Sequence, residues 1–292
     1  MENYTVKSNG TSLSIDTKGA QISSLKIGGL EYIWQRGEEW NGSAPILFPI
    51  VGELKGEGKS TIIKGKPYHI TIHGFAGSRE YSCKVISEDE VIMSFESDEE
   101  TRSKYPYDYK FSVKFKMFDG GFKQTFIIEN KSPERMPYIV GAHPGFRCPL
   151  FSGDKFEDYK IVFEKDETAE AYRIDVDGLV DDSKSEKVFE NGREIPLKHS
   201  IFDTGALLFE KLNSKSVKLI NKNGKGVRMD YPDFDYFGIW KMKSPSAEYV
   251  CLEPWTGMND CYSEDGVYTH KRGVTILKPG EERVHTFTVT TL

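Results

Sequence analysis

The stretch "YVCLEPWTG", Tyr249 to Gly257, sets one carboxylate, Glu253, inside an apolar run that ends in Pro254 and Trp255. An acid among residues that favour burial has two physical readings. It is a structural carboxylate held by an arginine or lysine, or a general base whose basicity a semi-apolar cleft has moved towards neutral pH. A base needs an acid to work with, and the chain has 6 histidines. Two of them stand in unusual company. His73, in "HITIHGFAGSREY", is followed by Gly74, which lets the backbone bend close to something, and by Phe75. His143, in "YIVGAHPGFRCPL", follows the small residues Gly141 and Ala142 and precedes Pro144-Gly145. A histidine at a strand end before a Pro-Gly turn can project into a cleft while its backbone stays fixed. Each also reads as a hydrogen-bonded histidine near the core surface. An imidazole and a carboxylate together donate one proton while accepting another, and such chemistry needs no cofactor. Trp240 and Trp255 supply rings for stacking on a ligand or for core packing.

Other chemistries find less support. His69 and His73 are four apart, but "YHITIHGF" reads as a strand, where that spacing is roughly 13 Å, too far for two ligands on one ion. No CxxC pair occurs, and no metal site is read from the sequence. GxSxG is absent. "GELKGEGKS" fails the phosphate-loop spacing because residue 53 is Glu, and it reads as a hairpin.

The elements that must position these residues are strands. "FSVKFKMF" sets Phe111, Val113, Phe115 and Met117 on one face and Ser112, Lys114 and Lys116 on the other. "DGG" then predicts a hairpin, with "FKQTFIIENKS" as the returning strand. Similar patterns occur in "TSLSIDTKGAQISSLKIGGLEYIW", "EVIMSFES", "YKIVFEK", "ALLFEKL", "SVKLINKNGKGVRMDY", "FGIWKM", "EYVCLEPW", "GVTILKPGE" and "RVHTFTVTTL". Only "DEETRSKY", before Pro106, suggests a turn or two of helix. Many short strands joined by Gly, Asn and Pro turns, with no fixed-period repeat, predict an all-β protein. The expected architecture is a large antiparallel β-sandwich, with residues 1–292 as a single domain.

Composition narrows the partners. The 292 residues carry a net charge of −6, which disfavours nucleic acid and gives no reason to expect an anionic membrane surface. No run approaches the ~20 apolar residues of a membrane span. "MENYTVKSNG" lacks the basic and apolar regions of a signal peptide. Cys83, Cys148, Cys251 and Cys261 read as reduced thiols of a cytoplasmic protein.

Taken together, these residues resemble the aldose 1-epimerase (galactose mutarotase-like) family, in particular its LacX-like bacterial branch. The matching stretches are "APILFPIVGELK", "HGFAGSREY", "KYPYDYKF", "GAHPGF", "DYFGIWK" and "CLEPWTG", in family order from about residue 10 to the C-terminus. The resemblance implies a β-supersandwich that interconverts the α and β anomers of a free aldohexose. It implies His143 as the acid at the ring oxygen and Glu253 as the base at the C1 hydroxyl. His73 would hydrogen-bond the sugar near its ring oxygen, Asp203 of "IFDTGALLF" would hold sugar hydroxyls, and Trp240 and Trp255 would face the ring. Where relatives often carry arginine, this chain has Glu53 and Gly77, and Arg79 and Arg147 are the candidates to take that place. The mechanism asks for a protonated imidazole beside an ionised carboxylate, and the expectation is that partial burial and mutual attraction favour that pair.

Overall fold

The computed structural model describes residues 2–292. Alternation along the chain becomes alternation across sheets. In Tyr109–Phe118 the side chains of Phe111, Val113, Phe115 and Met117 are fully buried, whereas Lys114 is half-buried and Lys116 exposed. The strand turns through Asp119-Gly120 into Gly121–Asn130, with Phe118 opposite Gly121 as the hairpin signal predicts. Gly120 has φ +77°, a left-handed conformation that glycine adopts without a Cβ penalty.

These two strands lie within a nine-stranded antiparallel sheet. Its order is Glu186–Pro196, Tyr159–Ala171, Ser216–Asn221, Gly226–Asp230, Glu282–Thr291, Gly121–Asn130, Tyr109–Phe118, Glu90–Glu96 and Ser82–Ser87. A second, six-stranded sheet runs Leu207–Glu210, Tyr236–Trp240, Tyr249–Trp255, Gly141–Ala142 and Ile46–Leu47, with Gly145–Arg147 also paired to Tyr249–Trp255. Smaller sheets flank them, and the one α-helix among the described residues is Glu99–Lys104, capped by Asp98 and Thr101. No helix among the described residues is long and apolar enough to cross a membrane.

The two large sheets close on a shared aromatic core. Phe209 and Phe237 of the six-stranded sheet meet Phe163 of the nine-stranded one edge-on, and Phe48 stacks on Phe111 with ring centroids 4.6 Å apart. One face of the six-stranded sheet is thereby spent on the core. Along Tyr249–Trp255, Val250 and Leu252 point into it, while Tyr249, Cys251 and Trp255 join separate clusters on the other side. Both faces are covered and every residue of this strand is buried. That is why the sequence around Glu253 reads as continuously apolar: it is a doubly covered central strand.

Two local expectations are corrected. The strand expected through "YHITIHGF" ends at His69, where it pairs with Ser60. His73 lies beyond it with φ +63°, so its side chain is aimed by a turn and not by a pleat. "GELKGEGKS" closes as a tight turn through a Gly56–Ser60 bridge, and the hairpin itself follows, Ser60–Ile63 with Lys66–His69.

Candidate active site

Register brings His143 to Glu253. Gly141 lies opposite Trp255, and Gly145 lies opposite Cys251. The residue midway between the glycines, His143, is therefore level with the residue midway between their partners, Glu253. Its backbone N–H donates to the Pro45 carbonyl at 3.0 Å, which fixes the crossing between the two short strands. The outcome is a contact of 3.2 Å between His143 Nε2 and Glu253 Oε2, with His143 8% and Glu253 1% exposed. Among the described residues no lysine or arginine pairs with Glu253, so the reading of a carboxylate held by a basic side chain falls away. The contact is close but poorly aligned: Glu253 Oε2 and His143 Nδ1 are both buried without a hydrogen-bond partner.

His73 is held from the side. Its Nδ1 accepts from the Gly52 N–H at 3.0 Å, and its own N–H donates to the Gly52 carbonyl at 3.0 Å. An accepting Nδ1 places the proton of the neutral ring on Nε2. The ring meets that of His143 edge to face, centroids 5.7 Å apart. Gly74 next to it needs its lack of side chain, because a Cβ would sit 2.1 Å from the Phe48 carbonyl oxygen.

Two indoles wall the histidine. Trp40 lies over His143 with centroids 5.2 Å apart and planes tilted 33°, and Trp240 meets it edge-on at 5.3 Å. Trp240 sits opposite Cys251 in the neighbouring strand, and Gly238 sits opposite Glu253. Trp40 was not singled out by the sequence reading. The signal available was the nearby pair Gly42 and Gly145, where a Cβ at either would strike its indole, but only the fold shows that they meet.

This enclosure sets the electrostatics. Burial lowers His73 from 6.5 to about 4. Burial first, and then the neighbouring His73, lower His143 to about 3, although its own backbone pulls the other way. Burial pushes Glu253 well above the usual carboxylate range. Here the expectation of a favoured ion pair is corrected. Desolvation drives both groups towards their neutral forms, so burial favours the neutral pair over the ion pair.

The remaining expected residues do not face the His143–Glu253 contact. Trp255 is on the strand of Glu253, but its indole is packed over Gly141 and Gly238, as a core ring would be. Asp203 is exposed at the end of the turn His199–Phe202. Arg79 is engaged by Asp98 and, at 2.6 Å, by Glu100. Arg147 lines a separate hollow with Leu30, Pro149, Phe151 and Glu248. Glu53, at the position where relatives often carry arginine, turns back to accept from the Leu54 N–H at 3.0 Å. All four cysteines are unpaired, and Cys251 joins His143 and Glu253 in a group whose donor atoms lie within 4.8 Å of one another.

Comparison with known proteins agrees with this architecture. The chain is 32% identical over 295 residues to the chromosomal protein LacX of Lactococcus lactis subsp. lactis, covering 98% of each. It superimposes with a TM-score of 0.91 on a galactose mutarotase related enzyme from Lactobacillus acidophilus, at 31% identity and covering 100% of this chain and 97% of that one. A galactose mutarotase-like protein from Lactobacillus casei matches with a TM-score of 0.92 and 25% identity over the whole of both chains. The sequence profile described as aldose 1-epimerase matches residues 2–290. With a β-sandwich that carries a facing histidine and glutamate and is matched from end to end, the chain belongs to the aldose 1-epimerase family.

Proposed function

We propose that this protein is a mutarotase that interconverts the α and β anomers of a free aldohexose through His143 and Glu253. The observation that carries the reading is the 3.2 Å contact between His143 Nε2 and Glu253 Oε2 inside a wall of indoles, with no structural cation holding the acid. Glu253 takes the C1 hydroxyl proton while His143 protonates the ring oxygen. The ring C–O bond breaks to give the aldehyde, rotation about C1–C2 presents the other carbonyl face, and the ring closes with both transfers reversed. The neutral pair that burial favours and the working ion pair differ only in where one proton sits. Hydroxyl donors of a bound sugar favour the carboxylate form, because hydrogen bonds to a charged group stabilise that charge. His73, pinned through Nδ1, is left with Nε2–H to donate to the sugar. Asp203 and Trp240 belong to the same proposal, for the hydroxyls and the ring face, while Trp255 supports the strand of Glu253 as a core ring. Asp203 needs a movement of its turn to reach them.

A free sugar fits better than a sugar phosphate. A phosphate calls for basic groups, whereas Arg79 is paired with Asp98 and Glu100 and Arg147 lines a different hollow. The test is polarimetry on freshly dissolved α-glucose, α-galactose and glucose 6-phosphate. Accelerated relaxation of a free sugar supports the proposal. Binding of an aldose by calorimetry without acceleration would make the protein a sugar binder instead, and acceleration of the phosphate alone would overturn the substrate class.

A further inference from the structure

Cys251 has no part in the proton transfers described above, yet it is fully buried beside the two groups that do. It precedes Glu253 by two residues, so a single strand face carries both, and His143 stands across from them. One donor atom from each of the three lies within 4.8 Å of the others. Zinc bonds of about 2.0 Å to nitrogen or oxygen and about 2.3 Å to sulfur put tetrahedral donors roughly 3.3–3.8 Å apart. The His143–Glu253 separation of 3.2 Å falls about 0.1 Å short of that range, and a closure of about 1 Å would bring the sulfur in. Imidazole, thiolate and carboxylate are the donor set of zinc and its d-block neighbours, whereas magnesium and calcium take oxygen alone.

A second observation points to a ligand. Glu253 Oε2, the oxygen that faces His143 Nε2, is buried and makes no hydrogen bond. Buried polar atoms are nearly always satisfied, so an orphaned carboxyl oxygen beside an imidazole and a thiol asks for a partner from outside the protein. We propose that His143, Cys251 and Glu253 form a binding site for a thiophilic divalent cation, with Zn²⁺ as its type, which inhibits the enzyme by occupying its acid and base. As the ion binds, the Cys251 thiol and the Glu253 carboxyl each give a proton to solvent, and the thiolate, the carboxylate and a lone pair of the neutral His143 imidazole form the new bonds. Three protein donors leave a fourth tetrahedral position for water or a sugar hydroxyl.

The test is direct and needs no turnover. Protein cleared of metal with a chelator is titrated with Co²⁺, following the thiolate-to-cobalt charge-transfer band, and with Zn²⁺ by calorimetry. One ion per chain is expected, with a sulfur-to-cobalt band that disappears in Cys251→Ala. Zn²⁺ affinity should fall at least ~10-fold in Cys251→Ala and in His143→Ala, the minimum expected when a group supporting the metal is lost. The absence of a band in the wild type overturns the site. So does a band that survives Cys251→Ala, which would put the ion on Cys83, Cys148 or Cys261. If Cys251→Ala fails to fold, the near-isosteric Glu253→Gln serves: the band persists and Zn²⁺ binding weakens at least ~10-fold, while unchanged affinity overturns the proposal. Because binding is read without sugar, failure of the mutarotase reading leaves this result intact.

Discussion

Glu253 and His143 face each other in a space too dry for either to ionise easily, and that dryness makes one proton shared between them useful. Replacing Glu253 by Gln, or His143 by Asn, keeps the shape and removes the transfer. Each should slow polarimetric relaxation by ~10²–10⁴-fold, the usual worth of a positioned acid or base. Relaxation at the wild-type rate in either variant would remove that residue from the reaction. Trp40 makes the dryness: Trp40→Ala would admit water to His143 and move its pKa upward from about 3 towards 6.5. Histidine NMR titration reads this shift, and an unmoved value would assign the desolvation to other neighbours. The same burial has a consequence for stability. Between 6.5 and about 4 for His73, and between 6.5 and about 3 for His143, the unfolded chain binds more protons than the folded one. Stability from these two groups is therefore full above pH 6.5 and falls as the pH drops through those windows. Glu253, held upward, acts in the opposite sense, since the folded state keeps a proton that the unfolded chain releases above its ordinary 4.5. The clean measurement is a difference. Between about pH 7 and about pH 5, the variant carrying His73→Gln and His143→Asn should lose less stability than wild type, by up to ~1.4 kcal/mol per pH unit per histidine. Equal losses in denaturation experiments would mean that the imidazoles are not desolvated.

At the scale of the element, the site depends on strands that lack side chains where others need room. A Cβ on Gly238 would lie 2.8 Å from the Trp255 ring and 3.3 Å from the Glu253 Cβ, and one on Gly141 would lie 2.4 Å from Trp255 Cδ1. Gly238→Ala should cost about 1–3 kcal/mol as overpacking. It should also slow turnover by up to ~10²-fold, because displacing a reacting group by about 1 Å costs that much. A stability loss with unchanged polarimetric rate would show that Trp255 moves and Glu253 does not. How far such elements were legible follows from their physics. Alternation made Tyr109–Phe118 and its hairpin readable, since period two and a Gly turn are local signals. The continuous apolar run around Glu253 was readable as buried, but which covering it had on each face was not. His73 escaped the strand assigned to it because a left-handed non-glycine residue leaves no mark in its neighbours. Trp40 and Cys251 escaped because their nearness to His143 comes from pairings across about a hundred residues of chain, which spacing along the sequence does not encode.

At the scale of the whole molecule, the six-stranded sheet divides its work between two faces, and the division can be tested by damaging only one. Phe237 is opposite Pro254 and packs into the core against Phe163 and Tyr231, while its neighbour Gly238 faces Glu253. Phe237→Ala removes a buried ring from the sandwich interior and should cost about 3–5 kcal/mol. The contact between His143 and Glu253 lies on the opposite face, fixed by strand register and by the Pro45 carbonyl. Backbone pairing holds register even when one core ring is missing, so the folded fraction of the variant should relax an anomeric mixture at the wild-type rate. Denaturant midpoints and polarimetry on the same preparation, below the unfolding transition, separate the two quantities. A rate that falls while the variant is still fully folded would mean that core packing sets the spacing of His143 and Glu253, and that the two faces of the sheet are mechanically one.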